Sequence, residues 1–215
     1  MTARFLDTVF TPAVRAAQEA NGSRHAFSHR QGAEGPDRLG EPEAAFIAAR
    51  DSFYLASVTE TGWPYMQHRG GPPGFVKIID PATIGFADFR GNRQYVSLGN
   101  ASADDRVALF FMDYARCARL KLLGRMRAVE AGAEPDVVAR VTDPGYKARV
   151  ERVFVISVEA FDWNCPQHIT PRFTAADLAP SVHAMRARIA ELEAALAQRG
   201  APAPGDDAPS SGPAR

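Results

Sequence analysis

The residues best placed to do chemistry in this 215-residue chain lie in one run, Phe75 to Phe111. Lys77 stands in a short β-rich stretch, Phe75 to Ile79. Arg90-Gly91-Asn92-Arg93-Gln94 then makes a polar, basic loop ahead of a helix that runs to Gly99-Asn100. A glycine beside donor side chains at a helix start outlines an anion site. Free backbone N–H groups, the positive end of the helix dipole and a guanidinium converge there. Arg93 is the stronger of the two cations, because its planar fork can grip a phosphate through two hydrogen bonds. Lys77 is one of three lysines in a chain that otherwise uses arginine. Alone, a lysine on a hairpin strand is a solvated outer-face residue; beside the loop, its ammonium can reach the same anion. The pattern predicts a phosphate held at the edge of a β-sheet.

Several elements must position that loop. Asp80-Pro81-Ala82-Thr83 has hairpin-turn chemistry, since proline presets φ and aspartate can close an Asx-turn. It joins Phe75–Ile79 to a second strand, Ile84–Phe89. Phe53–Val58 and Tyr65–Arg69 form another hairpin around Thr59-Glu60-Thr61-Gly62. Val107–Met112, Arg119–Glu130 and Arg152–Phe161 supply three more strands, with a bulge or bend expected at Gly124. Glu134–Val141 reads as a short helix. Many short strands and few long helices predict a mainly β (α+β) fold, an antiparallel barrel with peripheral helices.

The ends differ in character. Within residues 1–50, Phe5 to Phe10 gives a short apolar face, and Thr11-Pro12 caps a helix that runs to about Ala20. Ser23–Gly40 reads as a long loop, and Glu41-Pro42-Glu43 starts a helix through Arg50. Residues 51–175 hold the barrel. Residues 176–200 form an amphipathic helix in which Val182, Met185, Ile189, Leu192 and Leu196 make a short a/d seam, with Ser181 as its cap. This seam is expected to pack on the barrel or on a partner subunit. Residues 201–215, rich in Pro, Gly, Ser and Ala, are expected to be disordered.

Composition narrows the function. The chain is 46% hydrophobic and 23% charged, with a formal net charge of zero, which points away from a nucleic-acid-coating or polybasic membrane role. No apolar run reaches bilayer-spanning length, so cytoplasm is the expected location. Cys117 and Cys165 are the two cysteines and are expected to be reduced thiols. There is no zinc-ligand spacing, P-loop, G-x-G-x-x-G fingerprint or Ser-His-Asp order. Glu60, Asp88, Asp104 and Asp105 offer carboxylates, but no pair is spaced for acid/base work. Arg116, Arg119, Arg125 and Arg127 form a basic stripe, a wet strand face from which Arg125 could turn toward the anion.

With Lys77, the Asp80 turn, Gly91-Asn92-Arg93-Gln94 and Arg106-Val107-Ala108-Leu109-Phe110-Phe111, the chain resembles the pyridoxamine 5′-phosphate oxidase-like, FMN-binding split-barrel proteins. The resemblance covers roughly residues 51–172. Gln67-His68-Arg69-Gly70-Gly71-Pro72-Pro73-Gly74-Phe75 and Trp163-Asn164-Cys165-Pro166-Gln167-His168 make it similar to the uncharacterised flavin-nucleotide-binding branch. One departure matters. The true pyridoxamine phosphate oxidases carry Arg-Lys after a serine, where this chain has Asn92-Arg93-Gln94; one cation fewer points away from vitamin B6 oxidation.

The resemblance implies an antiparallel split β-barrel that binds FMN as a homodimer, with the cofactor at the subunit interface. Lys77, Asn92, Arg93 and Gln94 would anchor the phosphate. Gln67, Arg69 and Gly71 would lie near the ring, the glycine-rich turn allowing close backbone approach. Otherwise that stretch is a flexible surface loop. Trp163 and Gln167 would close the ring from the second subunit; otherwise they belong to a structured turn with Trp163 buried. His168 is the candidate acid, against the ordinary alternative of a structural histidine. The implied activity is that of a flavin-dependent oxidoreductase of unknown substrate. The alternatives are a non-catalytic flavin carrier or sensor, and a split barrel that binds haem, a deazaflavin or another cofactor.

Overall fold

Seven extended segments, some alternating between buried and exposed side chains and others buried almost throughout, decide the architecture of the computed structural model, which describes residues 2–27, 32, 34–163 and 167–200. In β1 (Ser52–Val58), Phe53, Leu55 and Ser57 turn inward; in β5 (Arg106–Asp113), Val107, Leu109, Phe111 and Asp113 do so. The other strands are β2 (Pro64–Gly70), β3 (Lys77–Asp80), β4 (Thr83–Phe89), β6 (Ala118–Glu130) and β7 (Val150–Trp163). All neighbours pair antiparallel, in the order β2-β1-β5-β6-β7-β4-β3.

The ladder does not close, so backbone pairing leaves β2 and β3 as edges. Side chains bridge the gap instead. Phe53 of β1 meets Phe86 of β4 edge-on at 5.1 Å, and Arg69 of β2 reaches Asp88 of β4 at 2.7 Å. This is the split of a split barrel, and its interior is an aromatic core that includes Phe53, Phe75, Phe86, Phe111 and Phe154. A smaller cluster, Val129, Val141, Val153 and Val155, packs α5 (Pro135–Val141) on the outer face of the sheet.

Local chemistry follows the sequence closely. The Ala82 N–H donates to the Asp80 carboxylate at 2.7 Å, the expected Asx-turn. At the expected bulge, the β6–β7 register shifts between Leu123 and Gly124. A Cβ on Gly124 would lie 2.6 Å from both Ile156 Cγ2 and the Ser157 carbonyl oxygen, so only glycine fits. Of the peripheral helices, α1 (Ala3–Val9) buries Phe5 and Leu6. Thr11 caps α2 (Pro12–Ala20), with proline in its first turn. The Gly40 N–H donates to Glu43 at the start of α3 (Glu41–Ala48), and α4 is Val96–Ala103.

Residues 172–215 form a second compact unit, described as far as residue 200. Its helix, α6 (Ala175–Gly200), starts well before the expected Ser181 cap. Thr174 caps it instead. The Asp177 N–H donates to Thr174 Oγ1 at 3.1 Å, and the Thr174 N–H donates to the Asp177 carboxylate at 2.8 Å. Pro180 costs this helix one backbone hydrogen bond without ending it. The tail expected to be disordered, 201–215, lies outside the described residues.

Candidate functional site

Strand β4 ends at Phe89, and the chain turns through Arg90–Tyr95 into α4. The Gln94 N–H donates to the Asn92 side-chain oxygen at 3.2 Å, an Asx-turn that shapes the loop. Arg93 (φ 59°) and Tyr95 (φ 54°) both adopt the left-handed conformation, unusual for residues with a Cβ. Such strain concentrates at ligand clamps. Arg93 Nε donates to the Tyr95 hydroxyl at 3.1 Å, and that bond, ahead of the nearby Glu151 charge, holds the guanidinium more firmly protonated than usual.

The opposite wall comes from β2. Period-two alternation puts Tyr65, Gln67 and Arg69 on one face. The Ser97 hydroxyl of α4 donates to the Gln67 carbonyl oxygen at 3.1 Å, which fixes the amide. Arg69 Nη1 donates to Asp88 at 2.7 Å, and the second Asp88 oxygen accepts from Arg152 Nη1 at 3.2 Å. Arg152 also donates to Glu130 and lies 5.0 Å from the centre of the Tyr95 ring. Asp88 and Arg152 are each 8% exposed, so a buried and a half-buried cation straddle one buried carboxylate. Arg69 Nε is buried and has no hydrogen-bond partner. A buried donor without an acceptor is costly; the Arg69 guanidinium lies 5.9 and 5.6 Å from the centres of the Phe86 and Phe154 rings, and the residue also lines a cavity.

That cavity, about 210 Å³, is walled by the Gly91–Leu98 segment, by Tyr65, Gln67 and Arg69, and by Asp88, Phe89 and Glu151. Five residues expected at a cofactor site, Gln67, Arg69, Asn92, Arg93 and Gln94, meet here. Gly71, Lys77, Trp163 and Gln167 are not in its lining. Lys77 pairs with Gly85 in the β3–β4 ladder, three positions along β4 from Asp88. Strand alternation puts Lys77 on the face of Ile79, which packs against the outer valine cluster. A Cβ on Gly71 would strike the Phe75 side chain at 2.7 Å, a reason for glycine that is internal to the turn. Trp163 Nε1 donates to Glu43 at 2.6 Å, and its ring meets Phe46 edge-on. Gln167 and His168 are exposed. Asn164, Cys165 and Pro166 lie outside the described residues.

Sequence reasoning missed Asp88 and Arg152 as a pair, and Tyr95 and Ser97 as wall residues. One signal was available: Asp88 follows Ile84 and Phe86 at spacing two, so it had to face inward and needed a cation. Arg125 does not turn toward this cavity. It pairs with Asp105 at 2.8 Å and Glu159 at 3.1 Å. Arg106 pairs with Asp104 and holds its carboxyl down to about 2.

Two larger cavities, of about 450 and 500 Å³, lie on the outer sheet surface and beside α4. Neither contains the strained loop or Arg69. Among the described residues no cluster of His, Cys, Asp and Glu can hold a metal ion, and no helix is long and apolar enough to cross a membrane.

What the small cavity can do follows from its donor set. Arginine and amide donors around a strained loop suit a phosphate. A family model described as pyridoxamine 5′-phosphate oxidase matches residues 40–164. No curated protein matches. Among solved structures, HupZ of Group A Streptococcus is 14% identical, with 63% of this chain and 100% of that one covered and a TM-score of 0.47. An FMN-binding protein from Syntrophomonas wolfei subsp. wolfei is 14% identical over 71% and 95% of the two chains, with a TM-score of 0.45. A Clostridium acetobutylicum protein related to general stress protein 26 is 11% identical over 62% and 92%, with a TM-score of 0.42. These likenesses carry no argument about what this chain binds.

Proposed function

Since the chain belongs to the pyridoxamine 5′-phosphate oxidase family, we propose that it binds FMN through the cavity at the β4–α4 loop and acts as a flavin-dependent oxidoreductase. The carrying observation is the polar cavity in which the loop with left-handed Arg93 and Tyr95 faces Gln67 and Arg69. Arg93 and the amides of Asn92 and Gln94 take the phosphate, whereas Lys77, the second cation that the resemblance implies, does not line this cavity. Ser97 holds the Gln67 oxygen, so the amide nitrogen of Gln67 serves as a neutral donor toward the ligand. Asp88 keeps Arg69 in place. When bound, the flavin supplies hydride-transfer chemistry, and the protein supplies orientation and electrostatics.

Cavity size supports a shared site. Pockets that enclose a drug-sized ligand run to roughly 300–1,000 Å³, whereas this one is about 210 Å³. It suits the phosphate end and leaves the ring to be covered by a second copy of the chain. Trp63 (73% exposed) and Met66 (68% exposed), on the β1–β2 hairpin, offer apolar surface for that contact.

The absorbance spectrum of the purified protein, followed by titration with FMN, FAD and haem in turn, tests the reading. Saturable FMN binding is the expected result. Preference for FAD or haem, or no binding, overturns it. Turnover of NADH or NADPH with an acceptor then separates an oxidoreductase from a flavin carrier.

A further inference from the structure

Every described side chain of α6 is exposed, including Leu178, Val182, Met185, Ile189, Leu192 and Leu196. A continuous apolar stripe of this kind gains stability when another surface covers it. We propose that α6 pairs with α6 of a second copy of this chain as a parallel, two-stranded coiled coil. The inference is independent of flavin binding and of any contact between barrels.

The stripe repeats at alternating intervals of four and three residues, the apolar heptad. Capping the helix at Thr174 rather than Ser181 adds Leu178, a sixth position to the seam. Residue type selects the occupant. The a positions are then Val182, Ile189 and Leu196, and the d positions Leu178, Met185 and Leu192. β-Branched residues at a with leucine at d favour two parallel strands. Charge complementarity points the same way. Arg188 falls at a g position and Glu193 at the e position five residues on, so in-register parallel pairing sets Arg188 against Glu193 of the partner subunit on both flanks. Arg188 now bridges Glu191 within its own helix at 2.9 Å with both side chains exposed, a contact it can exchange cheaply. Pro180 falls at f, the outermost position, and stays clear of the seam.

The test uses the full chain with Cys117 and Cys165 replaced by serine and one new cysteine, Leu178→Cys. Parallel pairing brings the two copies of residue 178 together. Antiparallel pairing opposes residues 178 and 196 and holds the two copies about 27 Å apart along the axis, at 1.5 Å per residue. Mild oxidation should link most chains. Ala187→Cys, at an outer f position, should link at least tenfold fewer. Arg188→Glu and Glu193→Arg should each cut the Leu178→Cys yield several-fold, and the double reversal should restore it. No link at residue 178, an equal link at residue 187, or no rescue by the double reversal would each overturn the parallel pair.

Discussion

At Arg93, a charge-assisted contact to a phosphate would contribute about 1.5–3 kcal/mol. Arg93→Ala is therefore expected to weaken FMN binding by tenfold or more in a fluorescence titration. Arg199→Ala, in α6, should leave the affinity unchanged; equal affinities would mean that the loop does not hold the phosphate. Asp88 acts differently, because it sits buried between Arg69 and Arg152. Asp88→Asn leaves the half-buried Arg69 without its counter-charge and the buried Arg152 with Glu130 alone, and breaking a buried pair costs up to about 3–5 kcal/mol. Chemical denaturation should show a clear fall in midpoint, together with weaker FMN binding as Arg69 loses its anchor. An unchanged midpoint would mean that water reaches these arginines and that the pairing is dispensable.

Elements impose a second set of tests, with glycines as the sharpest probes. Gly124→Ala drives a methyl into Ile156 and the Ser157 carbonyl at 2.6 Å, across the β6–β7 bulge. Overpacking of this kind costs about 1–3 kcal/mol. Gly99→Ala, inside α4 with nothing within 4 Å of the new Cβ, should stabilise by about 0.5–1 kcal/mol. Opposite shifts of the two midpoints are the expected outcome; a neutral Gly124→Ala would mean that the bulge relaxes. The same elements show how far the chain could be read beforehand. The Asp80 turn, the Gly124 bulge, the Thr11 cap and the period-two strands are local matters, written in neighbouring residues. The Arg90–Gln94 loop was legible for the same reason. The Asp88–Arg152 pair was not, because it depends on β4 lying beside β7 in the register that sets Asp88 opposite Arg152, 64 positions later. Arg69 joins them only across the gap in the barrel. The expected bound of α6 at 176 lies within a residue of its start, but the cap is Thr174 with Asp177 rather than Ser181.

For the whole molecule, the two compact units divide the work. Residues up to Pro171 contain the sheet, its aromatic core and every residue that walls the polar cavity. A chain that ends at Pro171 should therefore bind FMN with the affinity of the full chain. If the ring is covered by a second copy through the β1–β2 face, that chain should also be dimeric when FMN-loaded. Trp63 and Met66 give the control, because both are large, apolar and mostly exposed. In the chain that ends at Pro171, which lacks α6, replacing both with glutamate puts like charges into the proposed contact while leaving the core untouched. Light scattering should then show monomers, and FMN affinity should fall by tenfold or more although every phosphate ligand is intact. A monomer that stays saturated with FMN at micromolar concentration would instead mean that one barrel covers the ring by itself, and the shared site would have to be abandoned.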